Sequence, residues 1–227
     1  MRVGVLHTVP ALVPVFQALL TERRGDLDIV HVADGSLLSR AIASGITDDV
    51  ESGIRGHLTA LRDAGARAVL VTCSSIGEAA TDAATAVGVP LVRVDQAMAG
   101  EAVARARAGS GRILVLATLS ATLGPTSRLV QAAAAGDAVE RRAGENSAVE
   151  NSAVEVSAQV VAGAADARAA GDLATHDRLI AEAIAAAGDV DAIVLAQASM
   201  ATGAGDDPRV LTSPDSGAGA FVEGLAS

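Results

Sequence analysis

Short apolar runs bounded by turn residues alternate along this chain with alanine-rich stretches of helical spacing. The runs predict strands at 3–7, 28–32, 68–72, 91–94, 113–117 and 192–196, with a short one at 210–211. The stretches between them predict helices at 11–22, 36–44, 48–64, 76–87, 96–108, 125–134, 156–170, 174–187 and 218–226. Strands alternating with helices imply an α/β fold with a largely parallel sheet.

The pattern also repeats. Arg2-Val3-Gly4-Val5-Leu6-His7-Thr8 is matched by Arg112-Ile113-Leu114-Val115-Leu116-Ala117-Thr118. Val69-Leu70-Val71-Thr72-Cys73-Ser74-Ser75-Ile76 is matched by Ile193-Val194-Leu195-Ala196-Gln197-Ala198-Ser199-Met200, in the same order. A match this degenerate is also within reach of two generic strands, but as a repeat it predicts two pseudo-symmetric α/β lobes joined within 95–111. Thr8 then falls on Thr118 and Cys73 on Gln197. Equivalent strand ends of two such lobes would face each other across an active-site cleft, a thiol on one side and an amide on the other.

Half of the 227 residues are apolar, with two phenylalanines and no tryptophan or tyrosine, so the core is filled by aliphatic packing. The formal charge of −10 argues against a nucleic-acid surface, which needs a basic stripe. A single cysteine excludes an internal disulfide and fits a reducing compartment. The segment 3–21 lacks formal charge, but His7, Thr8, Pro10, Pro14 and Gln17 interrupt it and no cleavage pattern follows, so a cytoplasmic protein without a membrane partner is expected. The four histidines show no metal-type spacing and no nucleotide-binding glycine motif is present, so neither a metal nor a cofactor is expected. The tandem pentads Glu145-Asn146-Ser147-Ala148-Val149 and Glu150-Asn151-Ser152-Ala153-Val154 fit neither period and are expected to lengthen a surface loop or helix.

Cys73 closes the apolar run 68–72, and Ser75-Ile76-Gly77-Glu78 after it has the capping-box pattern of a helix start. A thiol facing unpaired N–H groups and the positive end of a helix dipole is predicted to be accessible and of lowered pKa. A lone cysteine is as readily a small apolar filler, but strand-to-helix junctions are where open α/β sheets hold ligands.

Together with Leu6-His7-Thr8-Val9-Pro10, Val71-Thr72-Cys73-Ser74-Ser75 and 193–200, the stretch 115–126 (Val-Leu-Ala-Thr-Leu-Ser-Ala-Thr-Leu-Gly-Pro-Thr) resembles the aspartate/glutamate racemase superfamily. That group includes hydantoin racemases, maleate isomerases and arylmalonate decarboxylase. The resemblance runs over most of the chain. It implies a first lobe of 1–96 plus 209–227 and a second of 97–208. It also implies a cysteine ending the central strand of each lobe, the pair working on opposite faces of a carbon acid. Here the first is Cys73, while Gln197 stands in place of the second.

Abstracting a proton beside a carboxylate needs a base on one face and stabilisation of the developing enediolate. A positioned acid or base supplies roughly 10²–10⁴ in rate, and preorganised donors usually supply more. Cys73 is the candidate catalytic group. Thr8, Ser74, Ser75, Thr118, Ser120, Gln197, Ala198 and Ser199 are the candidate substrate-binding residues, with a helix cap the alternative role for Ser75 and a strand terminator that for Thr8. Gln197 offers two donors and one acceptor but no ordinary proton transfer. His7 is the nearest second acid in sequence, yet strand alternation turns it away from Thr8. Three functions are compatible with these residues: a cofactor-independent racemase or isomerase of a small amino acid, hydantoin or dicarboxylate; a one-thiol decarboxylase; or a silent carboxylate-binding protein. A homo-oligomer is expected, and the scarcity of aromatics points to a small acid rather than an aryl substrate.

Overall fold

Strand β1 (Arg2–His7) is flanked by β2 (Asp28–Ala33) and β3 (Val69–Val71), and β4 (Leu91–Arg93) adds to β3. All pairings are parallel, in the order β2-β1-β3-β4. A second parallel sheet contains β5 (Arg112–Ala117), β6 (Glu155–Val160), β7 (Ala192–Leu195) and β8 (Val210–Thr212), in the order β6-β5-β7-β8. This computed structural model describes residues 1–144 and 153–225. Most of the tandem pentad, 145–152, lies outside them.

The two sheets share register as well as order. Gly4 pairs with Val69 in the first, and their repeat equivalents Leu114 and Ile193 pair in the second. Arg2 pairs with Asp28 and Arg112 with Glu155 in the same way. The N–H of Thr72 donates to the Leu6 carbonyl at 3.1 Å, and that of Ala196 to Leu116 at 2.9 Å. The sequence match is therefore a structural repeat, residue for residue.

Helices α1 (Val13–Arg23), α2 (Gly35–Ser44), α3 (Asp48–Asp63) and α4 (Gly77–Val87) belong to the first half, with α5 (Gln96–Ala108) leading out of it. Helices α6 (Ser120–Gly144), α7 (Ala164–Ala169), α8 (Leu173–Ala185) and α9 (Ser213–Gly224) follow. The chain divides into two compact units, Met1–Gln96 with Ser213–Ser227, and Ala97–Thr212. Each fourth strand is thus followed by a helix that belongs to the other unit. In the first unit, Leu6, Val69 and Val71 pack with α2, α3 and α4, through Leu37, Ile54, Leu58 and Ala80. The alternate residues of β1 face α1, as the contact of His7 with the Phe16 ring shows (centroids 5.7 Å apart). In the second unit, Ile113, Val115 and Ala117 pack with Met98, Ala102 and Val130 of α5 and α6, whereas Leu114 and Leu116 pack with Ile180 and Ile184 of α8.

Several sequence expectations are corrected. The helix expected at 156–170 is strand β6 followed by α7. Alanines at 158, 162 and 164 mimic a helical stretch, but the 155–160 backbone pairs with β5 as the counterpart of β2. Helix α6 starts at Ser120 rather than Pro125, because the N–H groups of Thr122 and Leu123 already bond the Leu119 carbonyl. Helix α9 starts at Ser213 rather than 218. The lobe boundary expected at 208 falls after Thr212, since β8 pairs with β7.

Candidate functional site

Cys73 follows β3 in extended conformation (φ −125°, ψ 112°) and opens a 3-10 turn, Ser74–Ile76, from which α4 continues. Ser75 lies within the 3-10 turn, and the residue before α4 is Ile76, whose side chain makes no cap. What faces the sulfur instead are the N–H groups of Ser75 and Ile76, supplied by the 3-10 turn, and the hydroxyls of Ser75 and Thr8. Thr8 Oγ1 is buried and makes no hydrogen bond of full geometry with any acceptor, the thiol being the group it turns on. Cys73 itself is partly buried against the core of the first unit.

The thiol pKa is raised, not lowered. Burial disfavours the thiolate by more than the Thr8, Ile76 and Ser75 donors favour it. The prediction from the helix dipole fails because a short turn, not an α-helix, presents its N–H groups to a largely desolvated sulfur.

Gln197 occupies the equivalent place. It follows β7 in extended conformation (φ −122°, ψ 133°) and opens the 3-10 turn Ala198–Gly203. Its Oε1 accepts the Thr118 N–H at 2.6 Å and the Thr118 hydroxyl at 2.9 Å. The backbone donor fixes the amide orientation, since only the oxygen can accept it. With that oxygen occupied, the two amide N–H donors of Gln197 make no hydrogen bond among the described residues. Each unit thus sets a threonine beside the residue that follows its central strand: Thr8 lies beside Cys73, and Thr118 beside Gln197.

The remaining predicted site residues divide by unit. Ser74 and Ser75 are buried within the Cys73 turn. Ala198 and Ser199 lie half-buried on the Gln197 turn, and Ser120 is exposed at the start of α6. His7 is fully buried on the sheet face opposite Thr8, as strand alternation implied.

Sequence reasoning missed the buried pair Arg93 and Asp95. Arg93 Nε and Nη2 donate to the two Asp95 carboxylate oxygens at 3.0 and 2.9 Å. The Arg93 guanidinium lies over Gly77, where a Cβ would come within 2.6 Å of Nε. Only the pairing of β3 with β4, which sets Arg93 beside Val71, brings this cation near the Cys73 turn. Bidentate pairing with Asp95 neutralises it, and the N–H and hydroxyl donors named above remain the groups that face Cys73.

Among the described residues, no group of three or more His, Cys, Asp or Glu side chains could hold a metal ion. None of the described helices is long and apolar enough to cross a membrane.

Residues 6–214 match the family model of Asp/Glu/hydantoin racemases. No match was found among curated proteins. Among solved structures, a glutamate racemase of Bacillus anthracis superposes with a TM-score of 0.71 at 15% identity, covering 99% of this chain and 81% of that one. The aspartate racemase of Picrophilus torridus gives 0.67 at 13% identity, over 99% and 94% of the two chains. An arylmalonate decarboxylase gives 0.53 at 18% identity, over 100% and 92%. These structures share the fold, and the sequence match adds the lineage: the chain belongs to the Asp/Glu/hydantoin racemase family.

Proposed function

We propose that this protein catalyses cofactor-independent proton transfer at the carbon next to a carboxylate of a small acid, with Cys73 as its one proton-transferring thiol. The reading rests on one observation: two equivalent strand ends each set a threonine beside a polar residue, but only Cys73 of the two can carry a proton. In this proposal the substrate sits at the Cys73 strand end. The Ser75 and Ile76 N–H groups and the Thr8, Ser74 and Ser75 hydroxyls hold its carboxylate and the developing enediolate. Thr118 orients Gln197, whose two amide N–H groups are the donors that the second unit offers. Thr118, Ser120 and Ser199 supply further hydroxyls. Charge is met by hydrogen bonds, since Arg93 is already paired with Asp95.

Racemisation requires Cys73 to act first as a base. The raised thiol pKa makes thiolate scarce until a bound ligand changes its surroundings. That observation favours a second reading, a one-thiol lyase. There the resting thiol is the acid, protonating an enediolate left by decarboxylation on one face.

Incubation in deuterated water with aspartate, glutamate, hydantoins, maleate and substituted malonates tests both, with α-deuterium followed by NMR and carbon dioxide release measured in parallel. Deuterium exchange or decarboxylation to a single enantiomer is expected, and Cys73→Ser should abolish it. Binding of these acids without either reaction would make the protein a silent carboxylate binder and end the enzymatic reading.

A further inference from the structure

Directly behind the Thr8 and Cys73 pair, on the other face of the same two strand ends, runs a chain of polar side chains. The Thr72 hydroxyl lies 3.0 Å from His7 Nδ1, His7 Nε2 lies 2.9 Å from His31 Nδ1, and His31 Nε2 lies 3.0 Å from Gln17 Oε1. The two imidazoles are stacked, with centroids 5.1 Å apart, and His7 is fully buried. Gln17 Nε2 donates to Thr21 at 2.9 Å, which turns its Oε1 toward His31. In one proton pattern both rings are neutral: His31 donates to Gln17, His7 donates to His31, and the single Thr72 hydroxyl proton, which also has the Leu6 carbonyl at 3.3 Å, goes to His7. The chain links β3, β1, β2 and α1 at the residue next to Cys73. On this sheet face the Phe16 ring of α1 packs against His7.

The second unit supplies an internal comparison. The residues equivalent to His7, His31 and Thr72 are Ala117, Ala158 and Ala196. Those strands keep the same order and register, so the fold does not require the network. It exists only behind the strand end that carries a thiol. The chain runs from exposed Gln17 to a buried end at His7 and Thr72, where an unpaired polar group would be costly and the bonds are made, which suits a device that fixes one geometry.

We propose that His7, His31 and Thr72 are positioning residues for Cys73: through the Thr72 hydroxyl they lock the end of β3 and hold the thiol in its buried place among the Thr8, Ser75 and Ile76 donors. Releasing the lock should let the strand end move and the sulfur meet solvent more often.

The test uses the full chain, whose single cysteine makes the readout unambiguous. Iodoacetamide alkylation is timed at pH 7.5 in the unmodified protein and in Thr72→Ala, His7→Ala and Thr72→Ser, with far-UV circular dichroism confirming the fold. Losing one hydrogen bond of ordinary worth should raise the alkylation rate about fivefold in both alanine variants, while Thr72→Ser, which keeps the hydroxyl, should restore the original rate. Alkylation of both alanine variants within about twofold of the unmodified protein, or a serine variant that behaves like alanine, would overturn the proposal. The alanine variants reproduce residues the second unit already folds with, so loss of fold is not the expected result. If a variant does unfold, the network is a requirement of the fold and the positioning role falls. The inference rests on Cys73 being the working thiol, but its readout is thiol reactivity. A protein inactive toward every acid would remove the proposed function and leave this result standing.

Discussion

At the residue scale, the proposed chemistry turns on how one sulfur is housed. Burial outweighs the donors around Cys73, so its alkylation should accelerate with pH along a curve whose midpoint lies above that of an ordinary thiol. A midpoint below that range would mean the donors win and would return Cys73 to the role of a ready base. His7 gives a second pH signature. Burial, with His31 beside it, lowers its pKa to about 4. The folded state holds His7 neutral, whereas the unfolded chain takes up a proton near pH 6.5, so the unfolded state binds more protons between these values. Stability is therefore complete above pH 6.5 and is lost as pH falls toward 4, by up to about 3 kcal/mol. Urea unfolding at pH 7 and pH 4.5 should show that slope, and it should flatten in His7→Ala. Cys73 and its partner threonine were legible from the sequence because the repeat aligned them with Gln197 and Thr118. Thr72 and His31 were not, because their link to His7 crosses three strands and depends on a register no single strand encodes.

At the element scale, turn and cap chemistry decides where segments end. Asp34 closes β2 and opens α2, its carboxylate accepting the Ser36 N–H and hydroxyl at 2.9 and 2.6 Å and bonding His57 Nε2 at 2.8 Å. Asp34→Ala should cost about 1 kcal/mol, the usual worth of an N-cap, measurable by chemical denaturation. The Ser36 and His57 bonds lower the Asp34 pKa to about 2, so this contribution is present above the ordinary carboxylate range and fades as pH falls toward 2. Helix α9 docks through Gly217, where a Cβ would stand 2.3 Å from the Val94 carbonyl oxygen. Backbone cannot yield as a side chain tip can, so Gly217→Ala should destabilise by about 2 kcal/mol, seen as a lowered Tm. Strand periods were readable for β1, β3, β5 and β7, whose buried apolar runs leave little choice. Strand β6 was hidden because it is an edge strand, exposed along most of its length and written in residues a helix also accepts. The repeat held the missing signal: β5 needs a partner where β1 has β2.

At the scale of the whole molecule, the chain uses one topology twice and varies the second copy. The Cys73 turn runs on into α4, whereas the Gln197 turn leads to β8 with no intervening α-helix. The helix after each fourth strand is exchanged between units, which is why the boundary expected at 208 lies beyond β8. A polar chain backs the thiol strand end, and three alanines stand at the same places behind the amide. Both differences distinguish the two strand ends, and the proposed mechanism requires that they differ: one transfers a proton and the other only donates hydrogen bonds. The most direct measurement is therefore on Gln197→Cys, comparing α-deuterium exchange with inversion of configuration on whichever acid the unmodified protein turns over. The account predicts that the unmodified protein exchanges or protonates on one face with little inversion, and that the variant gains inversion by supplying a second thiol. Rapid racemisation by the unmodified protein, unchanged in Gln197→Cys, would show that another residue already serves the opposite face and would contradict the one-thiol mechanism.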